Sequence, residues 1–333
     1  MGSKCSQQKS KQFNIQNQKY QFIHRYSKKL EEWCQAIAIN KNNQILLVGA
    51  SSNIKIFNFN HKKIKYIQSI GGHVQGISTL AFMQQKEFFV SGSLDGILIV
   101  WPQYLVTSKK FTQKIKGHVK TITCVQLSLD SNIIITGSRD KTIKFWYRSH
   151  LDNQQYYLYQ SINEHTKDVY GLSLNEQCNE VISCSEDKTI LILEFKECWT
   201  VKQKIKGDGV RLCYLPNNVF VFQPYNQEHL EIYYLDTSLL YIKLKDVPIK
   251  ISDYGCQPYF PALYNKNKQI IVVKNCSNVN LFTYCSKCID LIESIDFQEN
   301  WLYGTFSDDG DFLITYDYKS KELQIRECIN YNK

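Results

Sequence analysis

Three sets of side chains in this sequence have the makings of acid–base chemistry: His73, Ser91 and Asp95; His118, Thr136 and Asp140; His165, Ser183 and Asp187. A histidine, a hydroxyl and a carboxylate are the components of a hydrolytic triad, in which imidazole takes the hydroxyl proton and the carboxylate orients the ring. Their spacing argues against that use. The histidines lie 45 and 47 residues apart, and so do the aspartates. A single active site does not recur at a fixed period, so no catalytic residue is assigned and the chain is expected not to be an enzyme. The recurrence instead indicates a repeated structural unit.

Other residues with reactive side chains are fewer. Cys285 and Cys288 form a lone CxxC. A zinc site needs two more ligands, and no second CxxC follows, so the expectation is a turn carrying two thiols, with a labile metal or redox contact as the alternative. There is no Walker A motif and no dinucleotide fingerprint, so no cofactor is expected. The lysines of KQKIKG (202–207) read as a solvated edge. At the N-terminus, Met1-Gly2-Ser3-Lys4-Cys5-Ser6 fits the pattern for myristoylation at Gly2, with Cys5 available for palmitate. An unmodified polar tail is the alternative, and disorder is expected over residues 1–18 either way.

The elements that must position these residues are strands. Tyr (22) and Phe (17) are abundant, and β-branched residues fill the apolar runs, which favours extended structure. GGHVQGISTLAF (71–82), KGHVKTITCVQL (116–127) and NEHTKDVYGLSL (163–174) each lead, after a turn, to FFVSGSLDGILIVW (88–101), IIITGSRDKTIKFW (133–146) and EVISCSEDKTILIL (180–193). A period near 45, opening on Gly-His and closing on a Trp-Asp-like end, is the signature of WD40 repeats. Degenerate copies lie at 33–59, 211–235, 261–284 and 301–328, giving seven. The expected fold is all-β: a single seven-bladed propeller over residues 19–330. The segment YQFIHRY (20–26) supplies the strand missing from the last blade, which closes the ring and removes free sheet edges. Resemblance to WD40 proteins implies that each intact blade ties His, Ser or Thr, Asp and Trp into a buried hydrogen-bonded set. Here these are His73, Ser91, Asp95 and Trp101; His118, Thr136, Asp140 and Trp146; and His165, Ser183 and Asp187, with Leu193 at the Trp position. Blades five to seven lack the set and are expected to rely on packing alone.

A finer resemblance lies in SRDKTIKFW (138–146), the polar, aromatic stretch 147–160 and QSINEHTKDV (160–169). These segments, with Trp199, resemble the WD40 component of cytosolic iron–sulfur protein assembly. That resemblance implies a docking platform for assembly factors and apoproteins, with Arg139 as the exposed arginine of the SRDK turn. Blades five to seven resemble instead a divergent group of ciliate WD40 proteins. Partner contact is expected on the top rim at Arg139, Lys141, Glu186 and Lys188; the alternative for Arg139 is a local salt bridge, such as one to Glu186. A second reading is a scaffold for signalling or trafficking, held at a membrane by its acylated N-terminus.

Composition narrows the context. The net charge of +9 is spread along the chain without a block of like charges, so nucleic acid is not an expected partner. No apolar run is long enough to cross a membrane as a helix, and the polar N-terminus is unlike a secretory signal. The twelve cysteines are therefore expected to be reduced thiols in a cytoplasmic protein, which is also compatible with a nuclear pool.

Overall fold

The second strands of the blades, such as ILLVGA, IIITGS and IIVVKN, are short apolar runs buried along nearly their whole length, so both faces of each sheet have to be covered. The structure, a computed structural model, describes residues 18–22, 26–60, 63–103, 111–149, 155–252, 255–285 and 288–330, with residues 18–22 and Asn330 described in backbone only. The described residues contain 29 strands and no α-helix. The strands form seven sheets, each an antiparallel meander. Blade one is Cys34–Ile39, Ile45–Ala50, Asn53–Asn60 and Lys63–Gly71. Blades two to six begin on the inner strands Ile77–Phe82, Ile122–Leu127, Val169–Leu174, Gly209–Leu215 and Leu263–Asn265, and blade seven on Leu302–Phe306. Each inner strand lies beside that of the next blade, and the inner strand of blade seven lies beside that of blade one, so the ring is closed.

The core sits between blades. Each of seven apolar clusters is shared by two neighbours; Leu47, Ile54 and Ile56 of blade one, for example, pack against Phe89, Ile99 and Trp101 of blade two. The ring depends on that sharing, because a four-stranded sheet alone would leave two apolar faces in water. Closure is made by the two ends of the chain. The strand Gln18–Phe22 pairs antiparallel with Glu322–Asn330, from Gln18 opposite Asn330 to Phe22 opposite Arg326. The closing strand thus begins two residues before the segment read from sequence, and Lys28–Lys29 adds a second short pairing on the same partner. The propeller is seven-bladed and all-β.

The expectation of reduced thiols is corrected at one place. Cys285 and Cys288 are joined by a disulfide. They face each other in register at the end of a hairpin, with Cα atoms 5.3 Å apart, which is within the span a disulfide bridges. The other cysteines of the described residues are free, and several line the core as small apolar groups: burial pushes Cys34 and Cys124 up to about 12.

If the closing strand carries the ring, Gln21→Pro, which removes one ladder donor and breaks the pairing, lowers the melting temperature by several degrees and increases oligomer formation through the uncovered edge of Glu322–Asn330. Calorimetry and size-exclusion chromatography read both effects; an unchanged melting temperature would contradict the closure.

Candidate functional site

The three repeated sets are hydrogen-bond wires with one direction. In blade two, Trp101 Nε1, which can only donate, gives its proton to Ser91 Oγ at 2.8 Å. Ser91 has one proton of its own and passes it to His73 Nε2 at 2.7 Å. That fixes the neutral tautomer with the proton on Nδ1, which donates to Asp95 at 3.2 Å. Asp95 also accepts the backbone N–H groups of Val74 and Ile97. Blade three repeats the wire: Trp146 to Thr136 at 2.9 Å, Thr136 to His118 at 2.7 Å, His118 to Asp140 at 2.8 Å. In blade four His165 lies 2.9 Å from both Ser183 and Asp187, and Leu193 leaves Ser183 without the indole donor. One wire thus fastens the loop before the inner strand, the second strand, the turn after it and the third strand.

The glycine of the Gly-His pair belongs to the same device. A Cβ on Gly72 would lie 2.7 Å from Trp101 Cη2, and one on Gly117 closer still to Trp146 Cη2. Glycine is needed because the indole edge occupies the space of a side chain. Blade four has no indole, and there the residue before the histidine is Glu164, which pairs with Lys204 at 2.8 Å. Ser91, Thr136 and Ser183 are fully buried, so none of these hydroxyls can reach a substrate carbonyl.

Burial pulls His73 and His165 below their ordinary value, against the opposing pull of Asp95 and Asp187. Burial also pushes the two carboxyls up, but backbone amides, the Thr189 hydroxyl beside Asp187, and the histidines outweigh it and hold both below the usual carboxylate range.

The rim residues read from sequence lie in the turns after the second strands of blades three and four. Lys141, Glu186 and Lys188 are exposed, and Arg139 is 42% exposed. Lys141 and Lys188 adopt left-handed backbone, φ 73° and 64°, at the position where blade two has Gly96. Lys188 pairs with Asp208 at 2.8 Å. The local pair of Arg139 with Glu186 does not form: Glu186 faces Lys167 at 3.9 Å, and Arg139 Nε faces Asp168 at 3.7 Å. The reason is the register of neighbouring blades, which sets Asp168, at the start of the next inner strand, closer to Arg139 than the turn itself.

Sequence reading missed the segment that meets Arg139. The connection from blade five to blade six brings Pro258, Tyr259 and Pro261 against the mouth of the central channel, a cavity of about 750 Å³. Arg139 Nη2 donates to the Tyr259 hydroxyl at 2.7 Å, and the guanidinium lies 5.9 Å from the ring centre. Tyr259 packs on its other side against the core shared by blades seven and one, beside Trp301. Trp301 meets Trp33 edge-on at 5.3 Å, and Trp33 meets Tyr318 at 5.1 Å, with Trp33 and Tyr318 about two-fifths exposed. The signal available in sequence was weak: Trp33 and Trp301 each stand just before the inner strand of their blade. Trp199 is not part of this surface; it is buried and stacked on Phe145 at 4.4 Å between blades three and four.

The expectation that blades five to seven rely on packing alone is corrected. Arg211, 1% exposed on the inner strand of blade five, donates from Nε to Phe260 O at 2.6 Å, from Nη1 to Gln223 Oε1 at 3.1 Å, and from Nη2 to Gln257 O. In blade six the fully buried Lys274 donates to Asn300 O at 2.8 Å. In blade seven Arg326 donates to Thr315 at 3.1 Å and lies 4.3 Å from the centre of the Phe297 ring. Buried cations serve here where the wires are missing.

Among the described residues, one group could offer three ligand atoms to a metal: His229, Glu231 and Asp246. The Lys243 ammonium already lies 2.7 Å from Glu231 and 2.8 Å from Asp246, in the place a cation would take. Gly2 and Cys5, the candidate acylation sites, lie outside the described residues.

Three segments of the chain, 64–102, 109–147 and 157–193, match the family described as WD domain, G-beta repeat. Each runs from the outer strand of one blade through the third strand of the next, so the sequence repeat is out of phase with the blade and staples neighbours together. No curated protein matches the chain. The protein carries WD40 repeats in a seven-bladed propeller, the architecture of a protein-interaction scaffold.

Two predictions follow from the wires. Leu193→Trp costs about 1–3 kcal/mol by overpacking against Glu164, and the same change costs less in a Glu164→Gly background, where the ring fits and Ser183 gains its donor. A double-mutant cycle in urea reads the coupling, and additive effects would refute it. The second concerns pH. Because the folded-state pKa values of His73 and His165 lie below the ordinary 6.5, their contribution is complete above pH 6.5 and is lost as pH falls, since the unfolded chain takes up protons first. The melting temperature therefore drops between pH 7 and 5, before the carboxylates of Asp95 and Asp187 protonate; a flat profile to pH 5 would contradict this.

Proposed function

We propose that this protein is a non-catalytic scaffold that grips a partner polypeptide across the top of the ring, from Arg139 over Tyr259 to Trp33, and that it serves cytosolic iron–sulfur protein assembly. The observation that carries the first part is the state of Arg139. Its Nε is buried yet makes no hydrogen bond. Its carboxylate neighbour stands at 3.7 Å, and burial pushes Asp168 up despite the guanidinium. A planar guanidinium whose side chain is 42% exposed, at a channel mouth, suits a partner carboxylate. Exposed Lys141 adds positive charge beside it. Trp33, Trp301 and Tyr318 supply aromatic surface of the kind that anchors interfaces. The assembly role rests on the resemblance of residues 138–169 to the WD40 component of that machinery; the expected partners are assembly factors and apoproteins, and the expected location is the cytoplasm with a nuclear pool.

A second reading is favoured by one feature of the sequence, the acylation pattern at Gly2 and Cys5. Two lipid signals would hold the ring stably at a membrane and make it a signalling or trafficking scaffold.

Affinity purification of wild type, Arg139→Ala and Gly2→Ala, with mass spectrometry, separates the readings. Loss of one charge-assisted contact of ~1.5 kcal/mol weakens binding about tenfold, so Arg139→Ala is expected to lose iron–sulfur assembly proteins while remaining folded. Retention of every partner by folded Arg139→Ala would overturn the rim reading. Membrane partners lost in Gly2→Ala, without iron–sulfur proteins, would favour the anchored scaffold.

A further inference from the structure

The loop that carries Tyr259 holds a buried sulfur in unusual company. Cys256, 4% exposed, accepts a hydrogen bond from Arg211 Nη1 at 2.9 Å and another from the backbone N–H of Cys276 at 3.2 Å. The Cys276 thiol itself points at Asn226 Oδ1, 3.7 Å away, and Asn275 Oδ1, 3.8 Å away. A neutral thiol sulfur is a weak acceptor; two donors on Cys256, one of them a guanidinium, describe the surroundings of a thiolate.

Charge balance points the same way. Arg211 and Lys274 are both buried, and the acceptors they reach are backbone carbonyls, Gln223 and the Cys256 sulfur, with no carboxylate among these hydrogen bonds. Arg211 stays charged at any physiological pH. Burial pushes Lys274 down to about 7, partly opposed by Cys256 and, more weakly, by Cys276 and the Glu299 carboxylate. Hydrogen bonding from Cys276 and the charges of Arg211 and Lys274 outweigh burial and hold Cys256 well below the usual thiol range. Gly255, next in the chain, is exposed, and Arg211 lines the channel cavity.

We propose that Cys256 and Cys276 form a peroxide-responsive thiol pair, in which Cys256 is the attacking sulfur and Cys276 the resolving one. The Cys256 thiolate attacks one oxygen of a hydroperoxide; the O–O bond breaks, hydroxide or alkoxide leaves and takes up a proton, and Cys256 becomes a sulfenic acid. The thiol of Cys276, the residue whose backbone N–H already meets Cys256 Sγ at 3.2 Å, then displaces the hydroxyl, which leaves as water with the proton of Cys276. The sum is two thiols and one hydroperoxide to one disulfide, one water and one further water or alcohol. The disulfide carries no charge, so oxidation removes the anion opposite Arg211 and pulls the loop bearing Tyr259 toward the turn of blade six.

The test uses the full-length reduced protein and hydrogen peroxide. Free thiols are blocked under denaturing conditions at successive times, and cysteine-containing peptides are identified by mass spectrometry. The expected result is a cross-linked Cys256–Cys276 peptide appearing about tenfold faster than oxidation of the exposed Cys198, as a standing thiolate predicts. In Cys276→Ser, a dimedone adduct is expected on Cys256. If Cys256 and Cys276 stay reduced while Cys198 oxidises, the proposal is overturned. A folded wild-type protein whose Cys256 is alkylated no faster at pH 7 than after unfolding, corrected for exposure with a neutral probe at Cys198, would also overturn it. None of these readouts involves a partner, so the outcome stands apart from the scaffold reading.

Discussion

The serine or threonine at the centre of each wire has one proton to give, and the direction in which it gives it organises blades two to four of this ring. The indole can only donate, so Ser91 and Thr136 must accept from the third strand and donate to the histidine. The imidazole is then committed to the carboxylate, and the carboxylate to the turn and loop amides. Inside a low-dielectric core, an arrangement with every donor matched to an acceptor is stiff, because any slip leaves a polar group unpaired. The glycine before the histidine is part of that fit rather than a separate turn signal, and the pairing of Glu164 with Leu193 in blade four shows the rule by its joint exception.

Blades five to seven meet the same constraint by different means. They bury Arg211, Lys274 and Arg326 where blades two to four bury imidazoles. Arg211 spends its donors on the segment around Cys256, Gln257 and Phe260. That clamp sets Tyr259 at the channel mouth, where it meets the Arg139 guanidinium from across the ring. The irregular blades are thus the ones that carry Tyr259 to Arg139, on a frame stiffened by the regular ones.

What could be read from sequence follows from how local the interactions are. The His, Ser or Thr and Asp of one wire fall within a single repeat, so their period exposes them. The clamp does not repeat: besides Gln223 of its own blade, Arg211 works through the Cys256 sulfur and through the carbonyls of Gln257 and Phe260, which any residue supplies, on the connection to blade six. Tyr259 is 120 residues from Arg139, and nothing at either position signals the other. Ring closure was legible because the final repeat lacked an outer strand and an apolar segment stood before the first. For Cys285 and Cys288 the spacing was visible, but whether the sulfurs were joined depended on a hairpin register that the motif alone does not specify.

If the Arg139 guanidinium binds a partner, the Tyr259 hydroxyl occupies its place in the ring alone. Tyr259→Phe removes that acceptor and keeps the ring and its packing. Quantitative affinity purification with this variant tests the claim most directly. Recovery of the partners that depend on Arg139 is predicted to rise, because a partner carboxylate no longer competes with the hydroxyl; unchanged or reduced recovery from a normally folded variant would contradict it.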